Sequence, residues 1–354
     1  MEPREKFMHR CLELALRGAG SVAPNPLVGA VLVHESRIIG EGWHQQYGQA
    51  HAEVNCVNDA IANGFEPLLR YSTLFVNLEP CSHTGKTPPC TDLITRYKIP
   101  RVVVGIQDPY KQVSGRGIQK LEEAGIEVTV NVLKAECTDI NRRFFTFHRE
   151  RRPYIILKWA QTVQGIIGSG KKRLQISNDY SNRLVHAWRS EEAAIMVGAN
   201  TARIDNPSLT NRRWPGNSPI RLVIDPELSL DRSLRLFDGV RPLVVFNHHR
   251  HEVSSTDPSK IGGVNYYRLE KLSIPSICSA LHELKILSVL VEGGAKLLQS
   301  FIDSVLWDEA RVITSANNKD HVDEPVMAPL LSRADKFKEI SLASDQLEFF
   351  EPAP

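Results

Sequence analysis

The chain lacks any long hydrophobic run. Across its 354 residues, no stretch approaches the roughly 18 consecutive apolar residues that a membrane-spanning helix needs. The N-terminal segment MEPREKFMHRCLELALRGAG carries charges throughout, whereas a secretory signal peptide has an unbroken apolar centre. Its apolar residues Phe7, Cys11 and Leu14 instead recur at helical spacing and predict a first helix of the fold. We therefore expect a cytoplasmic protein.

The chain also lacks low-complexity tracts and an excess of charge of one sign. Lysine and arginine number 43 against 41 acidic residues, so the formal net charge is only +2. This near-neutral charge does not indicate nucleic acid or an anionic membrane as a partner. We expect small-molecule substrates instead. The hydrophobic content of 42% is typical of a globular protein, and the length is sufficient for two domains. The sequence leaves open whether the chain forms a homo-oligomer.

Cysteines are few, and they fall into two groups. Six in a chain of this size are too scattered for a disulfide framework. Four sit among apolar residues, as buried thiols do: Cys11, Cys56, Cys137 and Cys278. Cys81 and Cys90 differ, because their segment is rich in Gly, Pro, Ser and Thr, where burial is a poor explanation.

Strand-like and helix-like segments alternate along the whole chain, which predicts an α/β protein with parallel strands. In the first part, LVGAVLV, RIIGEGWH, STLFVNL, RVVVGI and IEVTVNV predict strands, and AEVNCVNDAIANG and GIQKLEEAG predict helices that end at Gly64 and Gly125. A basic turn from Arg149 to Pro153 then separates two domains, at 1–148 and 153–354. The second part repeats the alternation, with strands at YIILKWA, AAIMVG, IRLVID, PLVVFN and LSVLVEGG.

A histidine, a glutamate and two cysteines form a candidate zinc site. A catalytic zinc takes three protein ligands and leaves one position for water, and His51, Cys81 and Cys90 supply one imidazole and two thiolates. Glu53 is two residues from His51, close enough to move a proton without being a ligand. The order H-x-E followed by P-C and a second cysteine is that of zinc deaminases, in which a zinc-activated water attacks an amino-bearing ring carbon.

The spacing of the two cysteines departs from that pattern. Eight residues separate them, in CSHTGKTPPC, where the deaminase pattern has two. The GKT within the insertion does not make a phosphate loop, because Pro80 stands where that motif needs glycine.

Taken together, the motifs resemble a known family. PNPLVGAVLV, HAEVN, LEPCSHTGKTPPC and QDPYKQVSGRGIQKLEEAGI are similar to the deaminase half of the bifunctional riboflavin-biosynthesis deaminase-reductases, including the long insertion. LKWAQTVQG, IMVGANTARIDNPSLTNR and VEGGAKLL resemble the reductase half, in the same order. The resemblance extends from about Phe7 to the region of Arg311.

The resemblance implies two consecutive reactions. The first half would hydrolytically deaminate a diaminopyrimidinone that bears a ribosylamino 5-phosphate, with zinc as cofactor and Glu53 as the catalytic proton carrier. The second half would use NADPH to reduce the ribosyl group of that product to a ribityl chain. The implied folds are a cytidine-deaminase-like domain followed by a dihydrofolate-reductase-like domain.

Substrate contacts in the first half are assigned to four polar residues. Asn25 is a candidate for an edge of the pyrimidine, although a plain turn role explains it as well. The polar tail and phosphate would meet His44, His83 and Lys86, for each of which a solvated surface role stays open.

For the second half, the chain has no G-x-G-x-x-G, so a Rossmann fold lacks support. The glycine pair of VEGGAKLL fits a phosphate cradle and a tight strand-to-helix turn equally well. By resemblance, the NADPH site would comprise Ala160, Thr201, Asp205, Gly294, Ala295, Lys296, Leu297 and Leu298. The substrate would meet Arg189, Leu209, Arg212 and Glu292, with the arginines suited to its phosphate. Lys158, a charge inside an apolar strand, needs a partner or a role, and we include it among the substrate residues.

Several positions depart from the family pattern. Gln164 stands where an Asp is usual, and Lys172 to Gln175 replace a Ser-x-Trp-Ile stretch. Tyr110 and Lys111 stand where Asn and Pro are common. The segment after Ile313 matches poorly, and no role is assigned to it.

Two alternatives remain at this point. A nucleic-acid base deaminase would share the zinc site but would have no use for a second α/β domain. A deaminase whose second domain is a non-catalytic binding or dimerisation module would show no NADPH binding.

Overall fold

The computed structural model describes residues 3–83, 88–110, 114–316 and 322–353. The chain divides between Glu150 and Arg151 into two compact α/β units. None of the helices in these ranges is long and apolar enough to cross a membrane.

The first unit is a five-stranded sheet between two layers of helices. Its strands are β1 (Gly29–His34), β2 (Arg37–Trp43), β3 (Thr73–Leu78), β4 (Arg101–Ile106) and β5 (Glu127–Thr129), in the order β2-β1-β3-β4-β5. Its helices are α1 (Pro3–Leu16), α2 (Ala52–Ala62), α3 (Cys90–Arg96), α4 (Arg116–Glu123), α5 (Lys134–Ile140) and α6 (Arg142–Glu150), with a 3₁₀ turn at Glu66–Tyr71. The pairs β1–β2 and β1–β3 are antiparallel, whereas β3–β4 and β4–β5 are parallel.

Successive side chains of these strands point to opposite faces of the sheet, so that a core forms on each face. One set of side chains, with Leu74 and Val102 among them, packs with Cys56 of α2, Ile94 of α3 and Leu121 of α4. On the opposite face, Phe7 of α1 lies against Phe75 of β3 with ring centroids 5.2 Å apart. Both helix ends predicted from glycine are confirmed, since α2 and α4 stop just before Gly64 and Gly125, whose φ angles are positive.

The segment IEVTVNV was predicted as a full strand, and this prediction was too long. Only Glu127–Thr129 pairs in the sheet. Asn131 and Leu133 take positive φ angles of 68° and 53° and turn the chain into α5. Alternation alone does not detect such a turn.

The second unit is built on a nine-stranded sheet with the order β11-β10-β9-β8-β12-β6-β13-β16-β15. These strands are β6 (Tyr154–Thr162), β8 (Ala194–Gly198), β9 (Ile220–Ile224), β10 (Leu243–Asn247), β11 (Val264–Arg268), β12 (Ser288–Val291), β13 (Glu309–Ser315), β15 (Ala334–Leu342) and β16 (Asp345–Pro352). A separate two-stranded sheet pairs β7 (Ile166–Ser169) with β14 (Pro325–Met327). The helices are α7 (Asp179–Glu191), α8 (Ala199–Asp205), α9 (Ile274–Glu283) and α10 (Ala295–Asp303), with 3₁₀ turns at Arg235–Phe237 and Pro258–Lys260.

Seven neighbouring strands of this sheet, from β11 to β13, run parallel, as the alternation predicted. Helices α9 and α10 pack on one face through Leu281 and Phe301, and α7 packs on the other through Val185 and Trp188. The segment after Ile313 has a structural role that the sequence did not assign. Its strand β16 pairs antiparallel with β13, and β15 then forms the edge of the sheet.

Candidate zinc and nucleotide sites

The three expected zinc ligands lie together in the first unit. His51 occupies the N-cap position of α2, Cys90 begins α3, and Cys81 lies in the loop that follows β3. The Nδ1 atom of His51 is 3.6 Å from the Sγ of Cys81 and 3.3 Å from the Sγ of Cys90. The eight residues between Cys81 and Cys90 do not hold them apart, because the backbone N–H of Cys90 donates to the Cys81 sulfur at 3.3 Å.

This geometry fits a zinc ion. All three ligand atoms lie within 4.8 Å of one another. Tetrahedral coordination with ordinary Zn–N and Zn–S bond lengths separates nitrogen from sulfur by about 3.6 Å. Hydrogen bonds from Cys90 and His51 lower the pKa of the Cys81 thiol, so this sulfur is already disposed to be the thiolate that a metal needs.

Glu53 lies in the first turn of α2, two residues after the histidine ligand, and its side chain is buried. Burial, and after it the charge of Cys81, raises the pKa of its carboxyl to about 6. A carboxyl with such a pKa can both accept and release a proton near neutral pH.

His44 and Asn25 form a fixed pair beside the ligands. The imidazole of His44 is buried and lies edge-on to the ring of His51, with centroids 5.6 Å apart. Its Nδ1 donates to the carbonyl of Ala50 at 3.0 Å, so its Nε2 accepts from the Asn25 amide, also at 3.0 Å. Burial lowers the pKa of His44 and favours this neutral tautomer.

The other predicted substrate residues of the first unit are His83 and Lys86. His83 is exposed. Lys86 and Lys111 lie outside the described residues.

Two acidic residues near the zinc ligands were missed by sequence reasoning. Glu79 is buried, and its carboxylate accepts four backbone N–H groups, at 3.1 Å from Asp108, 3.0 Å from Gly115, 2.8 Å from Gly117 and 3.3 Å from Ile118. The loop comes so close that a Cβ on Gly117 would lie 2.1 Å from the carbonyl oxygen of Pro80. Glu79 thus ties the segment that carries Cys81 to the loop that begins α4.

Asp108 is the second missed residue. Burial raises the pKa of its carboxyl to about 6, and the charges of Glu79, His83 and Cys81 also act on it. A half-buried carboxyl this close to the zinc ligands is a candidate for contact with an amino-bearing ring.

The second unit contains a cavity of about 540 Å³, and most of the predicted reductase residues line it. They are Lys158, Ala160, Arg189, Thr201, Asp205, Leu209, Arg212, Glu292, Gly294, Ala295, Lys296 and Leu298. Leu297 does not line the cavity but packs against the core, because successive residues of a helix point in different directions.

The glycine pair lies at the tight turn from β12 into α10. Gly294 has φ 72°, and a Cβ there would be 3.0 Å from the Oγ1 of Thr201. The turn therefore brings the backbone and Thr201 together at the cavity wall, and both the close contact and the positive φ favour glycine there.

Arg189 and Glu292 form a buried ion pair in the cavity wall. The Nε and Nη2 of Arg189 donate to the two carboxylate oxygens at 2.7 and 2.6 Å, and Nη1 donates to the carbonyl of Thr210 at 3.1 Å. Burial raises the pKa of Glu292, but the charge and hydrogen bonds of Arg189 outweigh burial and hold it below its usual range. Glu292 is thus a fixed carboxylate.

Lys158, the charge inside strand β6, lies near this pair. Burial lowers the pKa of its ammonium, whereas the charge of Glu292 opposes that change. The nearby charge of Glu292 and the access of Lys158 to the cavity explain how a lysine is accommodated in this apolar strand.

The cavity wall also contains residues that the sequence did not assign, among them Arg173, Gln175, His186, Arg213 and Arg235. Among the residues that the structure describes, seven lysines and arginines line the cavity, together with the two carboxylates of Asp205 and Glu292. Such a wall fits a polyanionic ligand, and a dinucleotide with an additional phosphate is one.

Comparisons with known proteins agree with both sites. Residues 1–106 match the family model described as the cytidine and deoxycytidylate deaminase zinc-binding region, and residues 153–316 match the RibD C-terminal domain. The riboflavin biosynthesis protein RibD of Aquifex aeolicus is 39% identical over 310 residues, which cover 86% of this chain and 84% of that protein. RibD of Bacillus amyloliquefaciens is also 39% identical over 310 residues, covering 86% and 82%.

Solved structures lead to the same family. A Thermotoga maritima diaminohydroxyphosphoribosylaminopyrimidine deaminase/5-amino-6-(5-phosphoribosylamino)uracil reductase has a TM-score of 0.87 and 35% identity, covering 99% of each chain. Acinetobacter baumannii RibD has a TM-score of 0.88 and 27% identity, covering 100% of this chain and 99% of that one. Both domains are present, so a deaminase with a non-catalytic second domain is not favoured. The chain therefore belongs to the RibD family, the bifunctional enzymes of riboflavin biosynthesis that join a zinc-dependent deaminase to an NADPH-dependent reductase.

Proposed function

We propose that the first unit deaminates a diaminopyrimidinone bearing a ribosylamino 5-phosphate and that the second unit reduces the ribosyl group of the product to a ribityl chain. The observation that carries the proposal is the combination in one chain of the His51, Cys81 and Cys90 cluster with a cationic cavity in the reductase unit. The Thermotoga maritima relative is named for these two activities.

In the deaminase, we assign the zinc ion to His51, Cys81 and Cys90. Bound zinc supplies an activated water at neutral pH. Glu53 would take a proton from this water and return it to the departing amine, so that water could add to the ring carbon and ammonia could leave. The pKa of about 6 suits Glu53 to both steps.

We further propose that the Asn25–His44 pair and Asp108 hold the pyrimidine. His44 fixes the Asn25 amide by accepting one of its protons, which leaves the amide oxygen as an acceptor for an amino group of the substrate. His83 and Lys86 are assigned to the polar tail and the phosphate.

In the reductase, bound NADPH would supply a hydride to C1′ of the ribosyl group. The bond from C1′ to the ring oxygen would break, and that oxygen must gain a proton to become a hydroxyl. We assign this proton to Lys158, whose lowered pKa makes it a better acid than an ordinary lysine. Glu292, held by Arg189, would orient the substrate hydroxyls, and Arg212 and Leu209 would complete the substrate contacts.

The cofactor would lie against the remaining cavity residues. Thr201, Asp205 and the turn from Gly294 to Lys296 share the wall with Ala160 and Leu298. Leu297 would act only through packing beneath this turn.

We infer that the chain acts on small molecules in the cytoplasm. NADPH is a cytoplasmic reductant, and none of the six cysteines is in a disulfide, which fits a reducing compartment. The mass of the particle in solution would show whether the chain forms a homo-oligomer.

The direct test supplies purified full-length protein with the diamino substrate and NADPH. Ammonia should appear, and absorbance at the NADPH band should fall in step with it. Ammonia without NADPH oxidation would contradict the assignment of the second unit, and neither event would contradict the whole proposal.

A further inference from the structure

His186 is a buried histidine in the wall of the reductase cavity to which the sequence assigned no role. It lies in α7, three residues before Arg189, and is 6% exposed. Both residues line the cavity, as side chains three positions apart on one face of a helix can. A buried polar side chain needs hydrogen-bond partners, and those of this imidazole can be followed atom by atom.

One nitrogen of the imidazole is held by the backbone. The N–H of Arg212 donates to the Nδ1 of His186 at 3.0 Å. Because a backbone N–H can only donate, Nδ1 must present its lone pair, and the proton of the neutral ring is then on Nε2. Burial, and after it the charge of Arg189, lowers the pKa of His186 to about 4, so the ring is uncharged at neutral pH. The Nε2–H group is therefore a fixed, neutral donor.

This donor has no acceptor within the described part of the chain. The hydrogen bond at Nδ1 is the one that the His186 ring makes with these residues. The Nε2 atom is also not one of their enclosed side-chain nitrogens that lack a partner, so it is accessible, and the residue it belongs to lines the cavity. An accessible donor in a cavity wall can be satisfied by a ligand that brings an acceptor.

Short contacts connect this donor to a fixed acceptor. Arg212, whose N–H meets His186, is two residues after Thr210, and the Thr210 carbonyl accepts from the Nη1 of Arg189 at 3.1 Å. Arg189 in turn donates to the two carboxylate oxygens of Glu292 at 2.7 and 2.6 Å. The charge of Glu292 also acts on the ring of His186. The imidazole and the carboxylate are thus held by one helix and one loop.

A carboxylate and a neutral N–H together match a sugar hydroxyl. The ionised Glu292 can only accept, and the Nε2 of His186 can only donate. A hydroxyl has a proton to give and lone pairs that accept, so adjacent hydroxyls of one ribosyl group can satisfy both residues. A phosphate dianion offers no proton to Glu292, and an ammonium group offers no acceptor to Nε2.

We propose that His186 is a substrate-binding residue of the reductase, with its Nε2–H donating to a hydroxyl oxygen of the ribosyl group. The inference rests on the proposed function, which brings that group to the cavity and assigns Glu292 to its hydroxyls. His186 then acts at both nitrogens. Nε2 meets the substrate, and Nδ1 holds the backbone of Arg212, another residue of the substrate site.

Two variants of the full-length protein separate the two nitrogens. In His186→Asn, the side-chain oxygen takes the place of Nδ1 and still accepts from Arg212, but no donor remains at Nε2. In His186→Gln, the amide nitrogen reaches the place of Nε2, but no acceptor remains at Nδ1. With the deaminated intermediate, kcat/KM should fall about tenfold in His186→Asn, as expected for one lost hydrogen bond, and less in His186→Gln. The Kd of NADPH, measured by calorimetry, should stay at the parent value in His186→Asn.

The matched control is His251→Asn. The Nδ1 of His251 also accepts a backbone N–H, that of Arg268 at 3.3 Å, but His251 is exposed and does not line the cavity. This control should keep the kcat/KM of the parent. A parent-like kcat/KM in His186→Asn, a value in His186→Gln no higher than in His186→Asn, or weakened NADPH binding by His186→Asn overturns the proposal. If only the bond at Nδ1 matters, the order of the two variants is reversed.

A measurement on the parent protein does not depend on the activity of either variant. Histidine-selective nitrogen NMR should show a neutral His186 ring with its proton on Nε2, assigned by the absence of this resonance from either variant. The resonance should shift when the deaminated intermediate is added in the presence of NADP⁺, and it should stay in place with NADP⁺ alone. A proton on Nδ1, a charged ring, or no shift with the intermediate overturns the proposal. The titration needs no turnover, so a parent protein that shows this shift yet oxidises no NADPH would contradict the proposed function and leave this contact standing.

Discussion

Replacing Glu79 by glutamine should destabilise the deaminase unit strongly, although Glu79 is not expected to touch zinc or substrate. One carboxylate oxygen accepts from Gly117 and Ile118, and the other accepts from Asp108 and Gly115. A glutamine has a single carbonyl oxygen, and its NH₂ group would face two N–H donors.

The size of the effect follows from these four bonds. Hydrogen bonds to a charged group contribute about 1.5–3 kcal/mol each. Two of them would be lost and the other two would lose their charge assistance, while local relaxation recovers part of the difference. We expect a loss of about 3–5 kcal/mol in the free energy of unfolding, which is at the upper end for single substitutions. For a unit of this size the melting temperature should fall by roughly 6–20 °C.

Differential scanning calorimetry of the full chain measures this shift, and the transition that responds to zinc chelation identifies the first unit. The matched control is Glu122→Gln, which removes the same charge from an exposed position on α4. Hydrogen exchange at the amides of Gly115 and Gly117 should also accelerate in Glu79→Gln alone. If both variants melt at the same temperature and exchange alike, the carboxylate does not hold the loop and the reasoning is wrong.

Two further predictions concern the metal and the pH dependence of stability. Cys81→Ser and Cys90→Ser should each lose most of the bound zinc by elemental analysis, since each removes one of three ligand atoms, and full zinc occupancy in either variant would refute the ligand assignment. Burial, and then the charges of Arg189 and Arg212, lower the pKa of His186 to about 4. The unfolded chain therefore takes up a proton near the ordinary histidine pKa that the folded chain refuses, so the stability of the second unit should decline as the pH falls from about 6.5 to about 4. His186→Asn, which keeps an acceptor for the Arg212 N–H, should flatten this decline in denaturant titrations, and an unchanged slope would contradict the assignment.

The zinc site was predictable from sequence because its parts lie in short local patterns. His51 and Glu53 occupy the cap and first turn of one helix, so their spacing alone relates them. Cys81 and Cys90 flank a single loop, and the insertion between them changes the length of the loop without moving its ends apart. The pattern of residue types therefore carried nearly all of the information.

Glu79 had no such pattern. Its partners lie 29 to 39 residues further along the chain, from Asp108 to Ile118. They are backbone amides, which any residue except proline provides. A single glutamate after a strand gives no indication that it will accept four N–H groups. Only the fold identifies its role.

The reductase cavity was predicted in part, through the resemblance rather than through local chemistry. Arg173 and Arg235 come from segments more than sixty residues apart in the chain, and nothing near either one in sequence relates them. The edge strand β15 was not predicted from the sequence, for another reason. Most of its side chains are exposed, so it lacks the apolar alternation by which strands are recognised.

The central claim is that one chain performs two reactions in a fixed order, and Glu53→Gln tests it most directly. Glutamine cannot accept the proton of the attacking water, and loss of a general acid–base group typically lowers the rate by about 10²–10⁴. NADPH oxidation by this variant should disappear with the diamino substrate and stay at the parent rate with the deaminated intermediate. Oxidation of NADPH by Glu53→Gln on the diamino substrate at the rate of the parent would contradict the order of the two reactions.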